Sequence, residues 1–138
     1  PLLLRPLRPL LRSRPGGVRR PWGVCLVAPA WHHPVANALD AVSTAVALGN
    51  AVLLCPPEEP GRTSELLASL MPRYLDPAAV QMAPAPLRAL LPPPEDPSYA
   101  PPPAVPVHFV ADFSGDERSA ARAGALAASL RIPHWRGG

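Results

Sequence analysis

Short apolar runs alternate along this chain with segments whose apolar residues recur every three or four positions. Val24-Cys25-Leu26-Val27-Ala28 is continuous and follows Gly23, the pattern of a parallel strand buried on both faces. From residue 35 to 48 the period changes. Val35, Ala38, Leu39, Val42, Ala45 and Val46 share one helical face, while Asn37, Asp40 and Ser43 turn away. Gly49-Asn50 supplies the helix stop. Residues 51–55, Ala-Val-Leu-Leu-Cys, form a second apolar run, closed by Pro56-Pro57. Thr63 or Ser64 is expected to cap the next helix, with Glu65 in its first turn, where the dipole favours an acid. Leu66, Leu67, Leu70 and Met71 are its expected buried stripe. A weaker strand is expected at 78–82.

Ten prolines in the 23 positions 84–106 forbid a regular element there. Val107–Ala111 then predicts a strand and Asp116–Leu130 an alanine-rich helix, with Ser114 and Glu117 at capping-box spacing. Strand and helix alternate throughout, which predicts an α/β fold: a Rossmann-like, mainly parallel sheet with flanking helices. The expected organisation is an Arg/Pro-rich leader without fixed structure (1–20), a βαβαβ unit (21–83), a proline-rich insertion (84–106) and a strand–helix unit (107–138). Sheets of this kind bind ligands beyond the carboxyl ends of their strands, so loops 29–34, 56–62 and 112–117 are the places to look for chemistry.

Composition sharpens this picture. The chain has 138 residues, of which 23 are proline, roughly three times the ordinary share. All 13 basic residues are arginine, and Ile132 is the sole isoleucine. No apolar run is long enough to cross a membrane as a helix. Two cysteines, Cys25 and Cys55, make no disulfide framework, and no cysteine–histidine cluster has structural-zinc spacing. Opening at Pro1 rather than methionine, the sequence is read as lacking its true N-terminus. Arg5, Arg8, Arg12, Arg14, Arg19 and Arg20 precede the first acid, Asp40. Such a leader suggests a transit peptide, a membrane-surface contact or a nucleic-acid arm. Pro6, Pro9 and Pro15 interrupt the helix a transit peptide needs, and no aromatic residue stands among the arginines to stack bases. The expectation is a cytoplasmic protein that binds no nucleic acid, with an organelle left open by the leader.

The loops carry a resemblance. Pro21-Trp22-Gly23-Val24-Cys25-Leu26-Val27-Ala28-Pro29-Ala30-Trp31-His32-His33-Pro34 resembles the glycine-led strand and Pro-Trp-Asn-aromatic-Pro turn of aldehyde dehydrogenases. The likeness runs on through Ala47-Leu48-Gly49-Asn50 and Cys55-Pro56-Pro57-Glu58, where the family has Ala-Ala-Gly-Asn and Lys-Pro-Ser-Glu. Met71-Pro72-Arg73-Tyr74-Leu75-Asp76 resembles the Leu-Pro-Gln-Tyr-Leu-Asp of the class 3 branch. Phe113-Ser114-Gly115-Asp116-Glu117 stands where the family has Phe-Thr-Gly-Ser-Thr. The resemblance covers about residues 20–82 and 107–130.

It implies an incomplete aldehyde dehydrogenase fold and a segment of the domain that binds NAD or NADP. The cofactor performs the redox step and the protein positions it. The implied cofactor-binding positions are Ala28, Pro29, Ala30, Trp31, Cys55, Pro56, Glu58, Phe113, Ser114, Gly115 and Asp116. Several depart from the family. His32 replaces the asparagine that donates to the oxyanion, a loss worth about 3 kcal/mol of transition-state stabilisation. Cys55 replaces the ribose-binding lysine, whereas Glu58 keeps the ribose-side glutamate. Asp116 and Glu117 put carboxylates at a helix N-terminus that should attract pyrophosphate. One such charge about 4 Å from a phosphate costs on the order of 4 kcal/mol at an effective dielectric of 20. Ala120 stands where a glycine often packs the coenzyme closely. Trp135 covers the place of the general-base glutamate, and the family's nucleophilic cysteine is expected beyond Gly138.

Two functions compete. One is a fragment or degenerate copy of an aldehyde dehydrogenase, inactive as this chain, binding NAD or NADP weakly or not at all, and similar in its losses to the non-catalytic family 16. The other is a protein-interaction module using Pro92-Pro93-Pro94 and Pro101-Pro102-Pro103 as polyproline II ligands. A protein partner or the remaining domains of a parent chain are the expected associates, the family being oligomeric. His32-His33 is not read as a metal pair, because adjacent residues at a turn diverge and no third ligand is evident.

Overall fold

Continuous apolar runs become the interior strands, because only a strand covered on both faces can afford no polar side. The computed structural model describes residues 11–13, 19–56, 61–84, 87, 107–115 and 117–137. The strands are β1 (Leu11–Ser13), β2 (Arg19–Pro21), β3 (Val24–Ala28), β4 (Ala51–Leu54), β5 (Val80–Met82), β6 (Phe109–Asp112) and β7 (His134–Arg136). The helices are α1 (Pro34–Ala47), α2 (Gly61–Tyr74) and α3 (Glu117–Leu130).

Five strands form one sheet in the order β5-β4-β3-β6-β7, and every neighbouring pair is parallel. The α/β fold with a Rossmann-like parallel sheet is therefore the observed architecture. β1 and β2 pair antiparallel as a separate two-stranded ribbon, with Arg12 opposite Arg20. The sequence offered no sign of this ribbon or of β7.

Alternation divides the core into two layers. Cys25, Val27, Val52, Leu54, Phe109 and Ala111 face α1 and α2, where Val42, Leu67 and Met71 meet them. Leu26, Val110 and Cys55 face α3, where they meet Ala123 and Ala127, with Leu87 in the same cluster.

The helices correct the expected stripes. α1 buries Ala38, Ala41, Val42 and Ala45, while Val35, Leu39 and Val46 stay exposed. Small alanines let its backbone lie close to the sheet, which turns the larger side chains onto its shoulder. α2 buries Leu67 and Met71 but leaves Leu66 exposed. It also starts at Gly61, so Thr63 and Ser64 are helical rather than caps, and Glu65 lies beyond the first turn. α1 begins with Pro34, whose missing N–H costs nothing at that position. It ends at Gly49, whose φ of +79° suits glycine.

The chain runs outward from β3 through β4 to β5, then returns to β6 and continues to β7 in the other direction. The direction of winding reverses between β3 and β6. In open parallel sheets the crevice at that reversal is where ligands bind.

Candidate functional site at the carboxyl ends of the strands

Two loops meet at the reversal. After β3, Pro29 and Ala30 are buried while Trp31, His32 and His33 are exposed. The three rings form an edge-on series, with centroids 5.6 Å apart for Trp31–His32 and 4.8 Å for His32–His33. After β6, Gly115 has a φ of +68°, and a Cβ built there would lie 3.9 Å from His32 Cε1. Loops far apart in sequence thus bring His32 against Gly115.

The other expected positions that are described are buried or packed. Cys55, next after β4, is 1% exposed, and its N–H donates to Val27 O at 2.8 Å. Burial pushes its thiol up to about 12, and does the same to Cys25 in the sheet. Both are inert thiols rather than nucleophiles. Pro56 is half-buried, and Glu58 and Asp116 lie outside the described residues. Ala28 is buried and accepts the Phe113 N–H at 2.7 Å; the Phe113 ring rests edge-on against Trp135, centroids 5.0 Å apart.

The expected capping box is absent. Glu117 is the first residue of α3 rather than its third, and the buried Ser114 hydroxyl has no hydrogen-bond partner. β6 extends to Asp112, whose Oδ1 accepts the Ser114 N–H at 2.9 Å. Asp112 is fully buried, and its Oδ2 has no hydrogen-bond partner. His134 Nε2 stands 4.0 Å away. Sequence reading passed over Asp112 because it ended the strand at Ala111. The available signal was a carboxylate closing an apolar run, at a position that shares the Val110 face.

Beside this crevice, but not in it, a groove of about 630 Å³ runs between α2 and the edge strand β5, lined by Pro56, Ala68, Met71, Val80 and Met82 among others. Among the described residues no three His, Cys, Asp or Glu side chains come together as a metal site. No helix among them is long and apolar enough to cross a membrane. Pro92-Pro93-Pro94 and Pro101-Pro102-Pro103 lie outside the described residues.

A parallel α/β layer whose loops converge at one reversal point defines a Rossmann-like α/β architecture. Residues 13–89, more than half the chain, match the aldehyde dehydrogenase family. The chain belongs to that family and is similar to its class 3 branch. Over 65 residues it is 45% identical to aldehyde dehydrogenase family 3 member H1 of Arabidopsis thaliana, a stretch covering 47% of this chain and 13% of that protein. Over 56 residues it is 46% identical to the dimeric NADP-preferring aldehyde dehydrogenase of Rattus norvegicus, covering 41% of this chain and 12% of that protein. An aldehyde dehydrogenase of Craterostigma plantagineum is 45% identical over 65 residues, covering 47% of this chain and 14% of the relative. The chain thus spans about an eighth of the length of the relatives it matches.

Proposed function

We propose that this chain is a degenerate, non-catalytic copy of the coenzyme-domain segment of an aldehyde dehydrogenase, which oxidises no aldehyde and holds NAD or NADP weakly if at all. The observation that carries this reading is Cys55. The resemblance demands a ribose-binding lysine at that position, and a sealed thiol with a pKa of about 12 offers neither charge nor reach. His32, exposed on its turn, supports the reading: an imidazole there donates only from the nitrogen that carries its proton, unlike a fixed amide. The residues at the crevice therefore do not fit the cofactor that the family implies.

The test is a titration of the intact chain with NAD and with NADP, followed by tryptophan fluorescence, since Trp31 stands beside the crevice. No saturable change below millimolar cofactor is expected. Saturation at micromolar cofactor overturns the proposal.

A further inference from the structure

Asp112 is the group at the crevice that no matched motif explains. It is the last residue of β6, and its side chain lies on the same sheet face as Val110, toward α3. One carboxylate oxygen accepts the Ser114 N–H; the other has no hydrogen-bond partner and faces only His134 Nε2, at 4.0 Å. The Ser114 hydroxyl nearby is unpartnered as well. Nine in ten buried polar groups find a partner. Two such groups within three residues, at the reversal point of the sheet, stand out among the described residues.

We infer that Asp112 is the specificity-determining residue that turns phosphate away from this crevice. The inference rests on the proposed loss of dinucleotide binding and names its physical cause. A helix N-terminus carries roughly half a positive charge and attracts anions through its free N–H groups. Asp112 sets a whole negative charge beneath the loop that leads into α3, and it occupies the Ser114 N–H. That carboxylate opposes the attraction of the helix end for anions.

The charged groups around it come from three elements. From β7, His134 Nε2 lies 4.0 Å from Asp112 Oδ2, and Arg136, opposite Asp112 in register, is exposed. From α3, Glu117 adds a second negative charge, while Arg118 and Arg122 lie on the arc away from the buried Ala120, Ala123 and Ala127. β3 ends in Ala28, which is uncharged, and the loop after it contributes His32 near Gly115. Glu117 is exposed and salt screens it; Asp112 is buried and salt does not reach it.

The experiment compares the wild-type chain with Asp112→Asn and Glu117→Gln, titrated separately with NAD and with inorganic pyrophosphate at 50 mM and 500 mM salt, concentrations that bracket effective and negligible screening. Asparagine keeps the acceptor for Ser114 and removes the charge. Asp112→Asn is expected to bind both probes at least tenfold more tightly than wild type, while Glu117→Gln changes affinity less than threefold. Added salt should not rescue the wild type. If a thermal melt shows that Asp112→Asn does not fold, Asp112→Thr takes its place, because a hydroxyl can also accept the Ser114 N–H. A folded variant that binds no better than wild type overturns the inference, and so does a gain from Glu117→Gln as large as that from Asp112. Tight NAD binding by the wild type would sink the preceding proposal and this inference with it, whereas a folded Asp112 variant that binds no better sinks the inference alone.

Discussion

The two edges of the parallel sheet treat their buried polar groups in opposite ways. At the amino edge Asn50 is only 4% exposed, and both ends of its amide are used. Its Oδ1 accepts the N–H groups of Trp22 and Gly23 at 2.8 and 3.2 Å, and its Nδ2 donates to Ala45 O at 3.3 Å. His108 Nδ1 accepts the Val24 N–H at 3.1 Å, and Gly23 leaves room for that ring, since a Cβ there would lie 2.9 Å from Nδ1. At the carboxyl edge Asp112 Oδ2 and Ser114 Oγ have no hydrogen-bond partners. An unmade bond to a buried polar group costs about 1–3 kcal/mol. The amino edge therefore works for the fold, and the carboxyl edge retains groups that stability alone would remove. Such local violations are expected where a protein binds or once bound something.

The thiols sharpen this contrast, because one sits early in β3 and the other just past β4, yet both are sealed. Burial raises each from 9.0 to about 12. The unfolded chain loses those protons first, so stability is fully present below pH 9 and drains away as pH climbs toward 12. Where both thiols titrate only in the unfolded state, the slope is roughly 2.7 kcal/mol per pH unit. Urea melts across pH 8 to 11 should show it, and Cys55→Ala should halve it. A flat profile would mean that the thiols are not sealed alike.

Asn50→Leu attacks the satisfied edge. It removes the acceptor of the Trp22 and Gly23 N–H groups and should cost about 3 kcal/mol, read as a lower denaturation midpoint. Asp112→Asn attacks the unsatisfied edge and should do the reverse, raising stability by about 1 kcal/mol. Destabilisation by both substitutions would erase the distinction between the edges.

The sheet was largely legible in the sequence because interior parallel strands advertise themselves. Val24–Ala28, Ala51–Leu54 and the run before Asp112 are nearly free of polar residues. β7 was not legible: His134-Trp135-Arg136 contains one half-buried residue, and only its pairing with β6 makes it a strand. The faces of the helices were legible only approximately. Periodicity counts Val35, Leu39 and Val46 as core, but the sheet accepts the alanines of α1 and leaves those three on its flank. At the crevice the resemblance located the loops, but it could not show that His32 lies against Gly115. Nor could it show that Asp112 takes the Ser114 N–H, because ending β6 one residue early hides that carboxylate. Asn50 was legible as part of a motif, while its bonds to residues 22, 23 and 45 required three segments to meet in space.

The outermost strands carry one last consequence. β5 and β7 are three residues long; Pro77 and Pro84 flank the first, and Pro133 precedes the second. Proline donates no hydrogen bond, and a brief border gives an incoming strand little to grip. Molecules of this chain should therefore resist stacking border to border into fibrils, even in a layer so rich in bare aliphatic runs.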